Sequence, residues 1–486
     1  MVAQSLGIYW RGGGRFWLPD ESGSDSILAD CLVSEGAMGR EGLFDDLAEQ
    51  AAPERPRGAP RLLEARRDQV ALRAVDLDGL IAADDPVRDV WGFVEGLDLG
   101  ELYDRIAARE GEPGHPAIDP KILVSLWLYA AVRGVGSGRA VAELCTRDIA
   151  FQWLCGGVGV TYRTLNEFRV AHGAALDRLL TQSVAALMAE GLVSLDRLAL
   201  DGLRVRASAG AASFRRRRSI EACHAEAARL VRRLRRELED DAAAGERRRR
   251  AAQARAAAER LARLAAARRR LGALENERRR RERTHREQSK KQGEPRVSTT
   301  DPEARVMKMP DGGFRPAYNG QVVSDPESQI ILAVDVDTSG SDHGWLAPML
   351  RQVRRRCGAA PQQLLADGGF SRAPDIEWAW RPENGATAVF LAPTRSKHKT
   401  DPYAPRRRDG PGIAAWRARM ASPQGQAIYK RRALAECVNA DLRHRGLTRL
   451  TVRGKAKVRT ILTWFALAHN LLRALSLRRA AAPAPA

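Results

Sequence analysis

The sequence predicts an α/β protein whose strand-bearing part is split by a basic helical insertion and preceded by an all-helical unit. Three observations lead there. Residues 85–193 carry apolar side chains at helical spacing. Short apolar runs with carboxylates in or after them, the mark of strands in an α/β unit, begin near residue 195 and resume after residue 320. Between them, residues 214–291 are dominated by Ala, Arg, Glu and Leu, which favours long helices.

Each element follows from its local pattern. Residues 1–70 hold Gly12-Gly13-Gly14 and the prolines from Pro53 to Pro60, and read as a flexible arm. Residues 71–193 form the helical unit, with Asp119-Pro120 as a cap and first-turn proline ahead of Ile122, Leu123, Leu126 and Tyr129. Val141, Leu144, Ile149, Trp153 and Leu154 mark a second helical run, and Leu165, Phe168, Leu176, Leu180, Val184 and Leu187 a third. Gly134-Val135-Gly136-Ser137-Gly138 lacks a Gly-Lys-Ser/Thr ending and a preceding strand, so it is a helix-to-helix turn and not a phosphate loop. Residues 194–213 open the strand-bearing part with the pattern Leu198-Ala199-Leu200-Asp201. Residues 214–291 read as a hairpin of two helices, of about 22 and 30 residues, with Leu230, Leu234 and Leu238 on one and Leu261, Leu264, Leu271 and Leu274 on the other.

Residues 292–478 then return to strands: Gln321-Val322-Val323 with residues 330–336, Gln363-Leu364-Leu365-Ala366-Asp367, and Ala388-Val389-Phe390-Leu391. Helices are expected over about 344–355, from Pro374, over 425–444 and over 457–475. Residues 479–486, with Pro483 and Pro485, read as a disordered tail.

Charge narrows the function. The net charge is +20, and 27 basic against 12 acidic residues fall in 214–291 alone. Such a balance fits a polyanionic partner, and the 71 Arg to 9 Lys suit phosphate, which guanidinium grips bidentately. GC-rich coding DNA would produce the same Arg bias. Six scattered cysteines without a Cys-x-x-Cys argue against a zinc ribbon or a disulfide scaffold and fit a reducing cytoplasm. The apolar run 122–132 is too short to span a bilayer, and no signal-peptide layout opens the chain. The expectation is a soluble cytoplasmic protein without a membrane partner.

The carboxylates suggest the chemistry. Asp201 follows one apolar strand and Asp367 ends another; strand ends are common catalytic positions, and paired carboxylates hold Mg²⁺. Around Glu436, at about 100° per residue, Arg432, Tyr429 and Arg443 fall within an arc of about 60° and over about 21 Å, opposite Leu434, Val438 and Leu442. One face thus carries an acid, two arginines and a phenol. Arg432 and Glu436 are equally an ordinary helical ion pair, and Asp201 and Asp367-Gly368-Gly369 could each be plain turn residues. Asp335, Asp337 and Asp342, the last beside His343, are competing acids. His343, His444 and His469 read as helix-end or polar contacts, and Trp127, Trp153 and Trp464 as core.

Taken in order, these residues resemble the DDE transposases of bacterial insertion sequences. The group concerned carries Tyr-x2-Arg-x3-Glu-x6-Lys around its third acid, read here as Tyr429, Arg432, Glu436 and Arg443, with Arg in place of Lys. Leu200-Asp201-Gly202 and Ala366-Asp367-Gly368-Gly369-Phe370 match the first two acids. Thr300-Asp301-Pro302-Glu303-Ala304-Arg305, Gly312-Gly313-Phe314-Arg315-Pro316-Ala317-Tyr318-Asn319, Val452-Arg453-Gly454 and the unit around His115-Pro116-Ala117-Ile118-Asp119-Pro120 are similar to the family as well. The likeness runs from about residue 62 to 475.

The resemblance implies a ribonuclease-H-like catalytic domain and a triad of Asp201, Asp367 and Glu436 binding two Mg²⁺ or Mn²⁺ ions. It implies cleavage at element ends and strand transfer into target DNA, with Arg432, Arg443 and Tyr429 contacting the DNA. Its partners would be the double-stranded terminal inverted repeats and the target. A homodimer would pair the two ends, in the bacterial cytoplasm at the nucleoid. A nuclease of the same fold that does not join ends, a domesticated DNA-binding descendant, and a basic coiled-coil interaction protein are the alternatives.

Overall fold

The computed structural model describes residues 76–109, 111, 115–239, 244–284, 293–393 and 401–481, all within one compact unit spanning 73–486. The expected N-terminal arm of residues 1–70 and most of the expected C-terminal tail lie outside the described residues.

The described residues begin with seven helices: α1 (Pro86–Glu95), α2 (Gly100–Asp104), α3 (Pro120–Val132), α4 (Gly138–Arg147), α5 (Ile149–Cys155), α6 (Tyr162–Ala171) and α7 (Gly173–Ala189). Their starts are written locally. Asp85 caps α1 by accepting from the Val87 amide at 2.8 Å, Asp119 caps α3 through the Lys121 amide at 2.8 Å, and Asp148 caps α5. Proline follows the first two caps, where its missing N–H costs nothing. The Gly-rich stretch 134–138 is the turn between α3 and α4, as its lack of a lysine suggested.

One mixed sheet forms the rest of the framework. Its strands are β1 (Arg197–Arg206), β4 (Arg305–Lys308), β5 (Phe314–Ser324), β6 (Ile331–Asp337), β7 (Gln363–Ala366) and β8 (Ala388–Leu391). β5 pairs antiparallel with β1 on one side and with β4 and β6 on the other. β1 then pairs parallel with β7, and β7 with β8. β2 (Phe214–Arg215) and β3 (Val297–Ser298) form a separate two-stranded ribbon.

Between β2 and β3 run α8 (Arg217–Glu239) and α9 (Ala244–Thr284). They pack antiparallel, because Ile220 meets Ala267 and Leu271 while Val231 and Leu234 meet Ala257. The second helix has 41 residues, not about 30. Its apolar seam is thin, so its Leu spacing marks only part of a helix that Ala and Arg, both strong helix formers, carry further.

The later helices are α10 (Leu346–Cys357), α11 (Ala373–Trp380), α12 (Pro411–Ala421), α13 (Pro423–Lys430), α14 (Ala433–His444) and α15 (Lys455–Ala481). α15 joins the two parts of the molecule. Every residue from Thr460 to Leu471 is buried, so the helix is enclosed on all sides, and its polar members Thr460, Thr463, His469 and Asn470 are each hydrogen-bonded. Trp464 donates to the Arg169 carbonyl in α6 at 3.0 Å, and both amide atoms of Asn470 bond the backbone of Ile331 in β6 at 2.8 Å. Among the described residues no helix is long and apolar enough to cross a membrane.

Candidate active site at the ends of two parallel strands

The register of β1 against β7 places the first two acids. Leu200 pairs with Ala366, so Asp201 and Asp367 occupy the next level on neighbouring parallel strands. β7 stops there while β1 continues to Arg206, which leaves a notch beside the central strand. Asp367 Oδ1 accepts from the Gly369 amide at 2.7 Å and caps the tight turn Gly368–Phe370. Asp201 Oδ2 accepts from Asn439 Nδ2 at 2.8 Å.

Burial pushes the Asp201 carboxyl above the ordinary carboxylate range. The Asp367 charge adds to that rise; the Gly202 amide, Asn439 and the Arg432 guanidinium oppose it. A half-enclosed pair of like charges is a place where a cation is favoured.

Glu436 stands on α14, three residues before Asn439, so the helix carrying it is tied to β1 through Asn439. Its own carboxylate is 61% exposed and pairs with Arg432 at 3.1 Å. Burial works against the Arg432 charge, but Tyr429, Glu436 and Asp201 outweigh it and hold its pKa above the usual value. The guanidinium lies 5.9 Å from the Tyr429 ring centroid. Arg443 is half-buried in the last turn of α14. Among the described residues no three Asp, Glu, His or Cys side chains stand close enough together to hold a metal ion. The structure therefore brings Asp201 and Asp367 side by side and Tyr429, Arg432 and Glu436 into one patch; Asp201 and Arg432 link the two groups.

The single helix expected over 425–444 is two. α13 ends at Lys430 and α14 begins at Ala433. The connection is tightened by i→i+3 bonds from the Arg432 amide to Tyr429 and the Ala435 amide to Arg432. A stripe computed on one axis does not cross this break, and Tyr429 meets Arg432 through ring stacking instead. The buried face of α14 is Ala435, Val438, Asn439 and Leu442, with Leu434 only half-buried.

Sequence reasoning missed four side chains that frame the site. Asn439 was one, because an Asn on a helix face carries no distinctive signal. Asn319 and Gln321 on β5 are the next two: both are fully buried and donate to Asp342 Oδ1 at 2.6 and 2.9 Å. Asp342, set aside as a competing acid, occupies the space that the glycines after both acids leave open. A Cβ on Gly202 would meet Asp342 Oδ1 at 2.6 Å, and one on Gly369 would meet Asp342 Oδ2 at 3.6 Å. The Asp-Gly pair at Asp201-Gly202 is the detectable trace of this cradle; Gly368, directly after Asp367, faces the Ala392 carbonyl instead. The outer oxygens of Asn319, Gln321 and Asn439 are buried without a protein partner. His469, fully buried, bridges Asp441 Oδ2 and the Gln329 carbonyl, each at 2.8 Å, and is a structural contact.

Two family models match the chain. A "Transposase DDE domain" matches residues 283–471, which include Asp367, Glu436 and the Tyr429–Arg432 pair. A "Transposase domain (DUF772)" matches residues 75–171, the stretch from before α1 through α6. Asp201 precedes the first match, on the other side of α8 and α9 in sequence. No curated protein and no solved structure matches.

Proposed function

The chain belongs to the DDE transposases of insertion sequences, and we propose from that premise that it cleaves DNA at its element's ends and joins them to target DNA in a metal-dependent reaction. One observation carries the reading: Asp201 and Asp367 stand level on neighbouring parallel strands, and the Glu436 helix is held to the same strand by Asn439. The order of three antiparallel strands, β6, β5 and β1, followed by the parallel β7 and β8 supports the reading of a ribonuclease-H-like domain, in which α8 and α9 would be an insertion after the first strand.

The donor set fits Mg²⁺ or Mn²⁺, hard ions that take oxygen ligands and keep part of their water. Asp201, Asp367 and Glu436 would hold two such ions, and the unpartnered Asn439 oxygen lies beside the first of these acids. Metal bound there supplies Lewis acidity for the attacking water or 3′-hydroxyl and for the leaving oxygen of the phosphodiester. The protein's own part is preorganisation. Asn439 fixes the Asp201 carboxylate, and the Gly369 amide fixes that of Asp367. Arg432 neutralises Glu436 until a cation competes for it. Arg432, Arg443 and Tyr429 hold phosphates of the DNA end, as guanidinium and phenol groups do. Pairing two ends calls for a homodimer in the DNA complex.

The test is cleavage and joining of a plasmid that carries the element's terminal repeats, with Mg²⁺ or Mn²⁺. Asp201→Asn, Asp367→Asn and Glu436→Gln should each abolish cleavage and leave duplex binding within about twofold, since neutral isosteres keep the shape and remove the charge. Cleavage surviving in all three variants refutes the triad. Cleavage by the wild type without joined product refutes strand transfer and leaves a nuclease.

A further inference from the structure

Three of the sequence motifs have no part in the acid site, yet they meet in space. Gly136-Ser137-Gly138, Thr300-Asp301-Pro302-Glu303 and Val452-Arg453-Gly454 line one cleft of about 1120 Å³, beside α6 and the middle of α9. The volume exceeds the ~300–1,000 Å³ usual for small-molecule pockets. Its walls come from the helical unit, the long hairpin and the strand-bearing part. Gly454 has φ +89°, and its missing side chain leaves room for Glu303 Oε2, 3.2 Å from where a Cβ would sit. That contact brings two of the motifs together.

The cleft is basic on every wall. Arg139 and Arg169 come from α4 and α6, Arg269 and Arg270 from α9, Arg453 and Lys457 from the chain around the start of α15. Its three acids each have a partner, though Asp301 Oδ2 is buried without one. Glu259 pairs with Arg263 at 3.8 Å, Asp301 accepts the Tyr318 hydroxyl at 2.8 Å, and Glu303 accepts the Lys455 amide at 2.7 Å.

Arg169 is the independent sign of a ligand. It is 6% exposed, and its guanidinium lies 4.3 Å from the Trp127 ring centroid. Nη1 donates to the Gly136 carbonyl at 2.6 Å and to Thr451 Oγ1 at 3.3 Å, both on cleft-lining residues, while Nε is buried without a partner. Among the described residues no carboxylate pairs with it. Burial pulls its pKa down to about 10, so it remains charged at neutral pH. A buried cation without a counter-charge, at the wall of a basic cleft, calls for an anion.

We propose that this cleft binds the phosphodiester backbone of DNA, with Arg169 as its buried anchor and Arg139, Arg269 and Lys457 as its rim. The hairpin then acts through one face of α9 and not only as bulk charge. The inference rests on the reading of the chain as a protein that handles DNA.

The rim residues are exposed, so reversing them spares the core. The full-length triple variant Arg139→Glu, Arg269→Glu, Lys457→Glu is compared with Arg147→Glu, Arg235→Glu, Arg408→Glu. The second set makes the same charge change at exposed positions outside the cleft, one each in the helical unit, the hairpin and the strand-bearing part. Binding of a fluorescein-labelled duplex is followed by anisotropy across a KCl series. The cleft variant should lose affinity by about tenfold or more and its salt slope should fall by about three, one per phosphate contact. The control set should stay within about threefold of wild type. Equal losses in the two variants, or wild-type binding by the cleft variant, overturn the proposal. A wild type that binds no duplex at any salt instead removes the DNA-handling reading beneath it.

Discussion

Gly202→Ala should destabilise the protein, and it should do so through Asp342. The new Cβ would stand 2.6 Å from Asp342 Oδ1 and 3.2 Å from Asn319 Oδ1. Neither neighbour can yield cheaply: Asn319 is 1% exposed, and Asp342 Oδ1 is held by both Asn319 and Gln321. Overpacking alone costs about 1–3 kcal/mol. Expelling the carboxylate forfeits two hydrogen bonds to a charged group, each worth about 1.5–3 kcal/mol. Relaxation takes the cheaper route, so a loss near 2–3 kcal/mol is expected. The assay is a double-mutant cycle with Asp342→Ala, reading denaturation midpoints by tryptophan fluorescence. Once the carboxylate is gone the added methyl has space, so Gly202→Ala should cost less than about 0.5 kcal/mol in that background, a coupling of roughly 2 kcal/mol. If the glycine substitution costs the same in both backgrounds, Asp342 is not what requires a glycine after the first acid.

Other consequences are as direct. Arg356 is 7% exposed and joins three elements, donating to Asp177 in α7 at 2.5 Å, to Thr181 at 3.2 Å and to the Leu332 carbonyl in β6 at 2.8 Å; Arg356→Met should cost about 1–3 kcal/mol by chemical denaturation, because the buried Leu332 carbonyl loses its donor while the partly exposed Asp177 keeps Arg459 at 3.5 Å. Although burial opposes it, hydrogen bonds from His469 and Arg445 hold the Asp441 carboxyl well below its usual range. A depressed carboxylate contributes stability that is complete above its unfolded pKa, about 4, and is lost as pH falls through the folded value. Asp441→Asn should therefore lower the melting temperature at pH 7 and converge on wild type as the pH drops below about 4; a constant gap across that range would contradict the assignment. Arg443→Ala should weaken duplex binding at every sequence tested and reduce the salt slope by about one, whereas a change confined to the terminal repeat would point to base readout instead of a phosphate contact.

Local patterns were readable wherever neighbours in sequence decide the structure. The cap at Asp119, the short strand Ala388–Leu391 and the apolar strand ending at Asp367 lie where composition and spacing put them. β5 was only half visible: its first residues, Phe314 to Gly320, include a proline and a glycine that break the expected alternation, and pairing on both edges holds them extended. The turn at Arg431-Arg432 between α13 and α14 was hidden because both residues are good helix formers.

By itself the sequence determined the ingredients: an α/β chain, a basic helical stretch, and acids placed at strand ends and on a late helix. These depend on periodicity and capping, which act within a turn or two of chain. Only the tertiary structure decided which ingredients meet. Asp201 and Asp367, separated by 165 residues, became neighbours through the β1–β7 register. Asn439 came to lie against Asp201, and Asp342 filled the room left by Gly202 and Gly369. Register and packing are settled by burial of whole faces against partners far away in sequence, and nothing in a local window carries that information.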